Sequence, residues 1–112
     1  MKSKQSEGSP MYTINDFRVL NNPENIILTQ HSRRRFAERN ISIDDICSTI
    51  NSGEIIEQYS DDHPFPSCLI MGMSNDRIIH ICASIDDEMI YLITAYIPNP
   101  EKWESDWKTR RN

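Results

Sequence analysis

Apolar residues repeat at helical spacing in the first half of the chain and alternate, strand-like, in the second. The clearest helical stretch follows Ser42. Ile43, Ile46, Cys47 and Ile50 recur at i, i+3, i+4 and i+7. Ser42 and Asp45 supply a capping box at its start, and Gly53 stops it. Cys47 falls on the apolar face, which makes it a core residue rather than a nucleophile. Upstream, Thr29–Ile41 predicts a second helix, with Thr29 as cap and Phe36 and Ala37 turned inward. Asn40 behind it tolerates a left-handed turn. Thr13–Leu20 predicts a shorter helix with Ile14, Phe17 and Leu20 on one side, and Asn21-Asn22-Pro23 forms a loop. Ile26–Leu28 reads either as a short strand or as a lead-in to the helix that follows.

From Glu54 onward the pattern is that of strands. Glu54–Ser60, Cys68–Ser74, Arg77–Ile85 and Met89–Ile97 are the candidates, with a proline loop at Asp61–Pro66 and turns at Asn75-Asp76 and Asp86–Glu88. A three-residue loop at Asp86–Glu88 sets Ile85 opposite Met89. Ile79–Ala95, Ile81–Ile93 and Ala83–Tyr91 then share one apolar face. The other face carries Ile78–Tyr96, His80–Thr94, Cys82–Leu92 and Ser84–Ile90. Pro98-Asn99-Pro100 closes the sheet and opens a last helix, on which Trp103 and Trp107 stack at i, i+4. The expected fold is α+β: N-terminal helices packed on an antiparallel sheet of about four strands, then a C-terminal helix.

Length supports a single domain. Of the 112 residues, 1–10 are polar and read as a disordered leader, and 11–112 form the folded unit. The leader lacks the apolar core of a signal peptide. No run of 18 apolar residues occurs, so no membrane span is expected. Three widely spaced cysteines without a Cys-x-x-Cys pair argue against a disulfide framework or zinc ribbon and fit the cytoplasm.

Charge adds something that periodicity does not. The net charge of −5 is uneven: residues 29–40 carry +3, residues 41–100 carry −9, and the last twelve carry +1. Such a balance argues against loose, non-specific binding to RNA or DNA but leaves room for one local phosphate site. The positive island is the helix after Thr29. There His31, Arg35 and Arg39 stand one above the other at i, i+4 and i+8. If that helix borders the His80 face of the sheet, these three meet His80, Thr94 and Tyr96. Most charged helix faces are simply solvated, and a strand histidine is most often bonded to a neighbour. Glu57 reads as a solvent-facing strand carboxylate. His31, His63 and His80 lack metal-ligand spacing, no phosphate loop or dinucleotide fingerprint is present, and no cofactor is expected.

The order and spacing of several pieces resemble the domain of unknown function 4258 family. These are His31-x-x-x-Arg35-x-x-x-Arg39-x-Ile41, Gly53-Glu54-Ile55-Ile56-Glu57-x-Tyr59, Asp61-Asp62-x-Pro64-x-Pro66, Leu69-Ile70-x-Gly72, His80, and Thr94-Ala95-Tyr96-x-Pro98. The matching stretch runs from about Ile27 to Pro98. Asn40 departs from the glycine usual there. The chain resembles, more distantly, small bacterial toxins of the RelE and BrnT type. That resemblance implies an α+β domain that cleaves RNA without a metal and is held by an antitoxin partner. Such chemistry needs an acid, a base and cations for the phosphorane. Histidine changes charge near neutral pH, which suits His31 and His80 to proton transfer. Arg35 and Arg39 would grip the phosphate, and Thr94 and Tyr96 would orient it. The alternative is a non-catalytic anion- or protein-binding domain of the same fold. The two diverge on one point: catalysis needs His31 and His80 at one phosphate, with Arg35 or Arg39.

Overall fold

The computed structural model describes residues 12–112, so the leader expected over residues 1–10 lies outside the described part. The architecture is α+β, as expected. Three helices, α1 (Ile14–Arg18), α2 (Gln30–Glu38) and α3 (Ile43–Ser52), cover one face of a five-stranded sheet. The strands are β1 (Ile26–Leu28), β2 (Glu54–Tyr59), β3 (Ser67–Ser74), β4 (Arg77–Asp86) and β5 (Met89–Tyr96), in the order β1-β5-β4-β3-β2. The last four are antiparallel. Ile26–Leu28 is a strand, and it pairs with β5 in parallel, so the sheet is mixed.

Each helix starts where its cap predicts. The Thr13 and Ser42 side chains accept from the third helical N–H while Asp16 and Asp45 reach back to the cap N–H, two full capping boxes. Thr29 accepts from the Ser32 N–H at 3.0 Å. Asn40 takes the left-handed turn after α2, at φ 58°. Phe36 is buried, but Ala37 stays exposed. The helices press Phe17, Phe36, Ile46 and Ile50 onto Ile70, Ile79, Ile81 and Ile90. Contact between α3 and the sheet is close: a Cβ at Gly72 would lie 2.2 Å from the Thr49 carbonyl oxygen. Gly53 follows the same logic. Its backbone is extended at φ −94°, so it ends α3 without a left-handed turn, and a Cβ there would meet Thr49 O at 2.4 Å.

The β4–β5 register differs from the expected one. Asp87 and Glu88 both adopt positive φ (53° and 61°), a two-residue turn of the twist that hairpins favour. Asp86 therefore pairs with Met89 and Ile85 with Ile90, and a bulge follows between Cys82 and Ala83. The bulge has a packing cause. Ile90, Leu92 and Ala95 all enter the helix-side core, and strict alternation cannot turn both Leu92 and Ala95 inward. The extra residue, Ile93, is left 49% exposed. His80 consequently pairs with Tyr96, and Cys82 with Thr94.

The expected C-terminal helix is absent from the described residues. One turn begins, with the Asn99 carbonyl accepting from Lys102 and Trp103. Asp106 then takes the Lys108 and Thr109 N–H groups at 2.9 and 3.0 Å, which competes with a helix. Trp107 turns left-handed, at φ 61°. The segment doubles back as a hairpin, with Trp103 bridged to Arg110. It lies on the sheet face away from the helices, where Trp103 packs on Leu69 and Cys82.

A buried carboxylate ties the helices to the sheet. Asp45, 4% exposed, accepts from Ser42 N–H (2.9 Å), Ser42 Oγ (3.0 Å), Ser74 Oγ (2.7 Å), Asn75 Nδ2 (3.1 Å) and Arg77 Nη2 (3.0 Å). The Ser74 hydroxyl and the Ser42 N–H, foremost among these, hold its pKa down to about 2, against 3.8 for a free carboxyl. The shift corresponds to about 2 kcal/mol of stability, present above the ordinary carboxyl range and lost as pH falls through about 2. Asp45→Ala is expected to lower unfolding free energy in urea by about 3 kcal/mol, because it strands donors at a buried site. The variant should also lose the wild type's added steepness of acid unfolding between the two pKa values. An unchanged urea midpoint would remove Asp45 from this role.

Candidate functional site

The six residues picked out by sequence divide between two places. His31, Arg35 and Thr94 lie together, along the edge of β5. β1 pairs only with residues 90–92 of β5, so the strand edge is open beyond that point. α2 runs beside the open edge. A cavity of 170 Å³ there is lined by His31, Ser32, Arg35, Phe36, Ile93 and Thr94. It adjoins a second cavity of 440 Å³, with His31, Ser32 and Ile93 common to the walls of both. His63, Phe65 and Tyr91 are among the residues that line the larger one. Side by side, the two occupy the groove between the 61–66 loop and the flank of α2. His31 and Arg35 are exposed at its rim.

Arg39 borders this region but has a different task. Its Nη1 donates to the Ala95 carbonyl at 2.6 Å and reaches Thr94 Oγ1 at 3.5 Å. It ties the end of α2 to a backbone carbonyl on the open edge of β5, a group that would otherwise need a solvent or partner donor.

His80 and Tyr96 lie on the other side of the sheet. Along β4, Ile79 and Ile81 face the helices, so His80 faces the C-terminal hairpin. His80 is 0% exposed. Its Nε2 sits 2.7 Å from the Trp107 carbonyl, which can only accept, so Nε2 carries the proton. Nδ1 then accepts from the Tyr96 hydroxyl at 3.3 Å. The ring meets Trp103 edge-on, with centroids 4.5 Å apart. Burial pushes the pKa of His80 below the ordinary histidine value, partly opposed by the Trp107 carbonyl and the charge of Glu57. The expected meeting of His31, Arg35 and Arg39 with His80 therefore does not occur: the sheet stands between them.

Around His80 is a network that sequence reading passed over. Arg110 clamps Glu57 through two bonds of 2.8 and 3.0 Å and stacks on Trp103 with its guanidinium carbon 4.6 Å from the ring centroid. Tyr59 donates to Glu57. Glu57 is thus a half-buried ion-pair partner rather than a solvated carboxylate, and Arg110, ahead of other contributions, holds its pKa low. Every polar atom named here already has a partner, so the cluster closes the hairpin onto the sheet. A larger concavity of 710 Å³, between Asn40 and Arg77, is likewise committed. Its carboxylate, Asp45, is saturated by the five donors described above.

His63 is the groove residue missed in the sequence. It stood in a proline loop with no periodic partner, and only the folded loop brings it to the cavity that His31 lines. Among the described residues, no three His, Cys, Asp or Glu side chains converge as a metal site. Cys47 packs against the core, and burial raises its pKa, as its position in the helical pattern predicts for an inert thiol.

His80 offers a direct check of this assignment. Its ring should titrate below pH 6.5 in nitrogen-detected NMR, with Nε2 protonated in the neutral form. The unfolded chain binds that proton more readily, so the His80 contribution makes stability fall as pH drops from 6.5 toward the lower folded value. His80→Gln should flatten that part of the pH–stability curve, and a ring that titrates at or above 6.5 would overturn the buried assignment.

Apart from Ile27, the groove residues fall within the part of the chain that the comparison with known families identifies. Residues 28–97 match the family described as Domain of unknown function (DUF4258). No curated protein and no solved structure matches the chain. With well over half its length matched, and with His31, Arg35, Arg39, His80, Thr94 and Tyr96 all inside the match, the chain belongs to that family of domains of unknown function.

Proposed function

We propose that the chain is an RNA-binding domain of the RelE/BrnT-like toxin type that holds phosphate in the groove between α2 and β5. One observation carries this reading: His31, Arg35 and Thr94 line a single cavity on the most positive helix of an acidic chain. Arg35 supplies a permanent charge and a planar donor fork. His31 and the Thr94 hydroxyl supply further donors. The acidic remainder keeps binding local, because a second phosphate placed far from α2 meets repulsion. Three unpaired cysteines fit a cytoplasmic setting. An antitoxin-like protein that competes with RNA would have to cover the same groove.

The His31–His80 pair expected for catalysis does not form, and a second reading, metal-free RNA cleavage, then needs a different pair, for which there is a separate observation. His31 and His63 both line the larger cavity, so two proton-transfer side chains flank one space next to Arg35. In that scheme one imidazole takes the 2′-hydroxyl proton, the 2′-oxygen attacks phosphorus, and the other imidazole protonates the departing 5′-oxygen. Arg35 stabilises the charge gathered on the phosphorane. His80 has no part in it, since both its nitrogens are engaged under the hairpin.

The test uses a fluorescent single-stranded RNA at low salt with EDTA present. Wild-type protein should bind it, with affinity falling as salt rises. Arg35→Ala should weaken binding about tenfold and reduce the salt slope, with thermal stability unchanged. Arg39→Ala should instead lower the melting temperature. Cleavage that His31→Ala and His63→Ala each abolish while binding persists would establish the enzymatic reading. Bound but intact RNA would leave the binding domain. Failure of folded wild-type protein to bind at low salt would sink both.

A further inference from the structure

Resting on the phosphate reading above, we infer that the 440 Å³ cavity receives one unstacked base of a single-stranded RNA, whose neighbouring phosphate sits on His31 and Arg35. The cavity is of a size that encloses a small organic group. Its walls are unsuited to a bare anion. Phe65 and Tyr91, both half-buried, lie with ring centroids 6.3 Å apart and planes tilted by 38°. Ile27, Leu92 and Ile93 complete an apolar lining. Aromatic faces of this kind hold a flat, weakly polar body by stacking.

The lining is not wholly apolar, so a plain hydrocarbon would leave part of it unused. His63 and the Asp62 carboxylate, both exposed, bring groups able to exchange hydrogen bonds with the edge of a ring, whereas the Thr29 hydroxyl is spent on Ser32. An aliphatic occupant would make no bond to them. A base presents two apolar faces and a rim of donors and acceptors, so it matches both kinds of wall at once.

The wall shared by the two cavities makes the occupant a nucleotide rather than a free base. His31 belongs to the lining of both, so a group stacked on Tyr91 and an anion held by Arg35 flank the same side chain. A base and its adjoining phosphate are joined through one ribose and keep that spacing. A base within a duplex is stacked on its neighbours and cannot enter. The preference is therefore for single strands, and it is carried by stacking rather than by charge.

The experiment separates base from phosphate. Three probes are titrated into folded protein at one ionic strength: a labelled single-stranded RNA octamer, a blunt-ended, fully paired RNA duplex without a loop, and inorganic polyphosphate of matching charge as competitor. Wild type should favour the octamer over polyphosphate and over the duplex by about tenfold. Phe65→Leu and Tyr91→Ala should erase that preference and leave competition by polyphosphate unchanged, and Tyr91→Phe should keep it. Arg35→Ala should weaken all three probes together. Equal binding of octamer and polyphosphate by wild type would overturn the base pocket while leaving the phosphate site standing. Equal losses for every probe in Tyr91→Ala would do the same. No binding of any probe would overturn both.

Discussion

The buried Asp45 carboxylate is the constraint on which the rest of the architecture depends. It sits in the first turn of α3, yet three of its five donors come from the end of β3, the turn after it and the start of β4. Arg77 carries the tie further, since it also donates to the Asn40 carbonyl at 3.0 Å, behind α2. One carboxylate thus fixes the α2–α3 corner against one end of the sheet. A buried charge is tolerable because its lone pairs are fully used and a guanidinium stands beside it. Apolar contact alone would let the helices slide on a sheet surface made largely of isoleucine. Directional bonds to Asp45 remove that freedom, and the glycines at positions 53 and 72 let α3 settle close enough for them to form.

The C-terminal end of α2 is held there through Asn40 and, one residue earlier, by Arg39 on the β5 edge. Two ties of different chemistry therefore fix that end of α2 to β4 and β5. The groove is what remains between these anchored surfaces. On the far side, the Arg110–Glu57 pair and the stacked Trp103 do comparable work for the hairpin, although the ion pair is half in solvent and is screened accordingly. The sheet consequently has cover on both faces, and the opening that concerns the groove is the stretch of β5 beyond its pairing with β1.

Helices, strands and their caps were legible in the sequence because each rests on short-range chemistry. Ser42 with Asp45, Thr29 with Ser32, and Asn40 act within a few residues of themselves. The β4–β5 register was not legible. It turns on a bulge whose cause, the simultaneous inward demand of Leu92 and Ala95, exists only once the helices supply a core to enter. The final helix failed for a similar reason. Trp103 and Trp107 have helical spacing, but Asp106 takes the local N–H groups, and Arg110 finds Glu57, 53 residues away in the chain. As for the site, His31, Arg35 and Thr94 were found through spacing and charge. His80 was drawn into it by the condition that α2 borders the His80 face, whereas the helices pack on the face of Ile79 and Ile81, and His63 was missed because a loop histidine has no period to betray it.

The groove owes its existence to the shortness of β1. A parallel strand continuing past Leu28 would pair with residues 93–96 of β5, cover Thr94 and satisfy the carbonyl that Arg39 now bonds. Instead Thr29 turns the chain into α2, and its hydroxyl caps the new helix at once. One residue thus ends the strand and starts the helix. That switch opens the edge of β5 and sets a run of arginines beside it. Arg39 takes up the stranded backbone group, which leaves Arg35, one turn earlier, facing the gap. Function, in this reading, follows from where a strand stops. The open edge supplies shape, the helix supplies charge, and the 61–66 loop folds in Phe65 and His63 to give the pocket its chemistry.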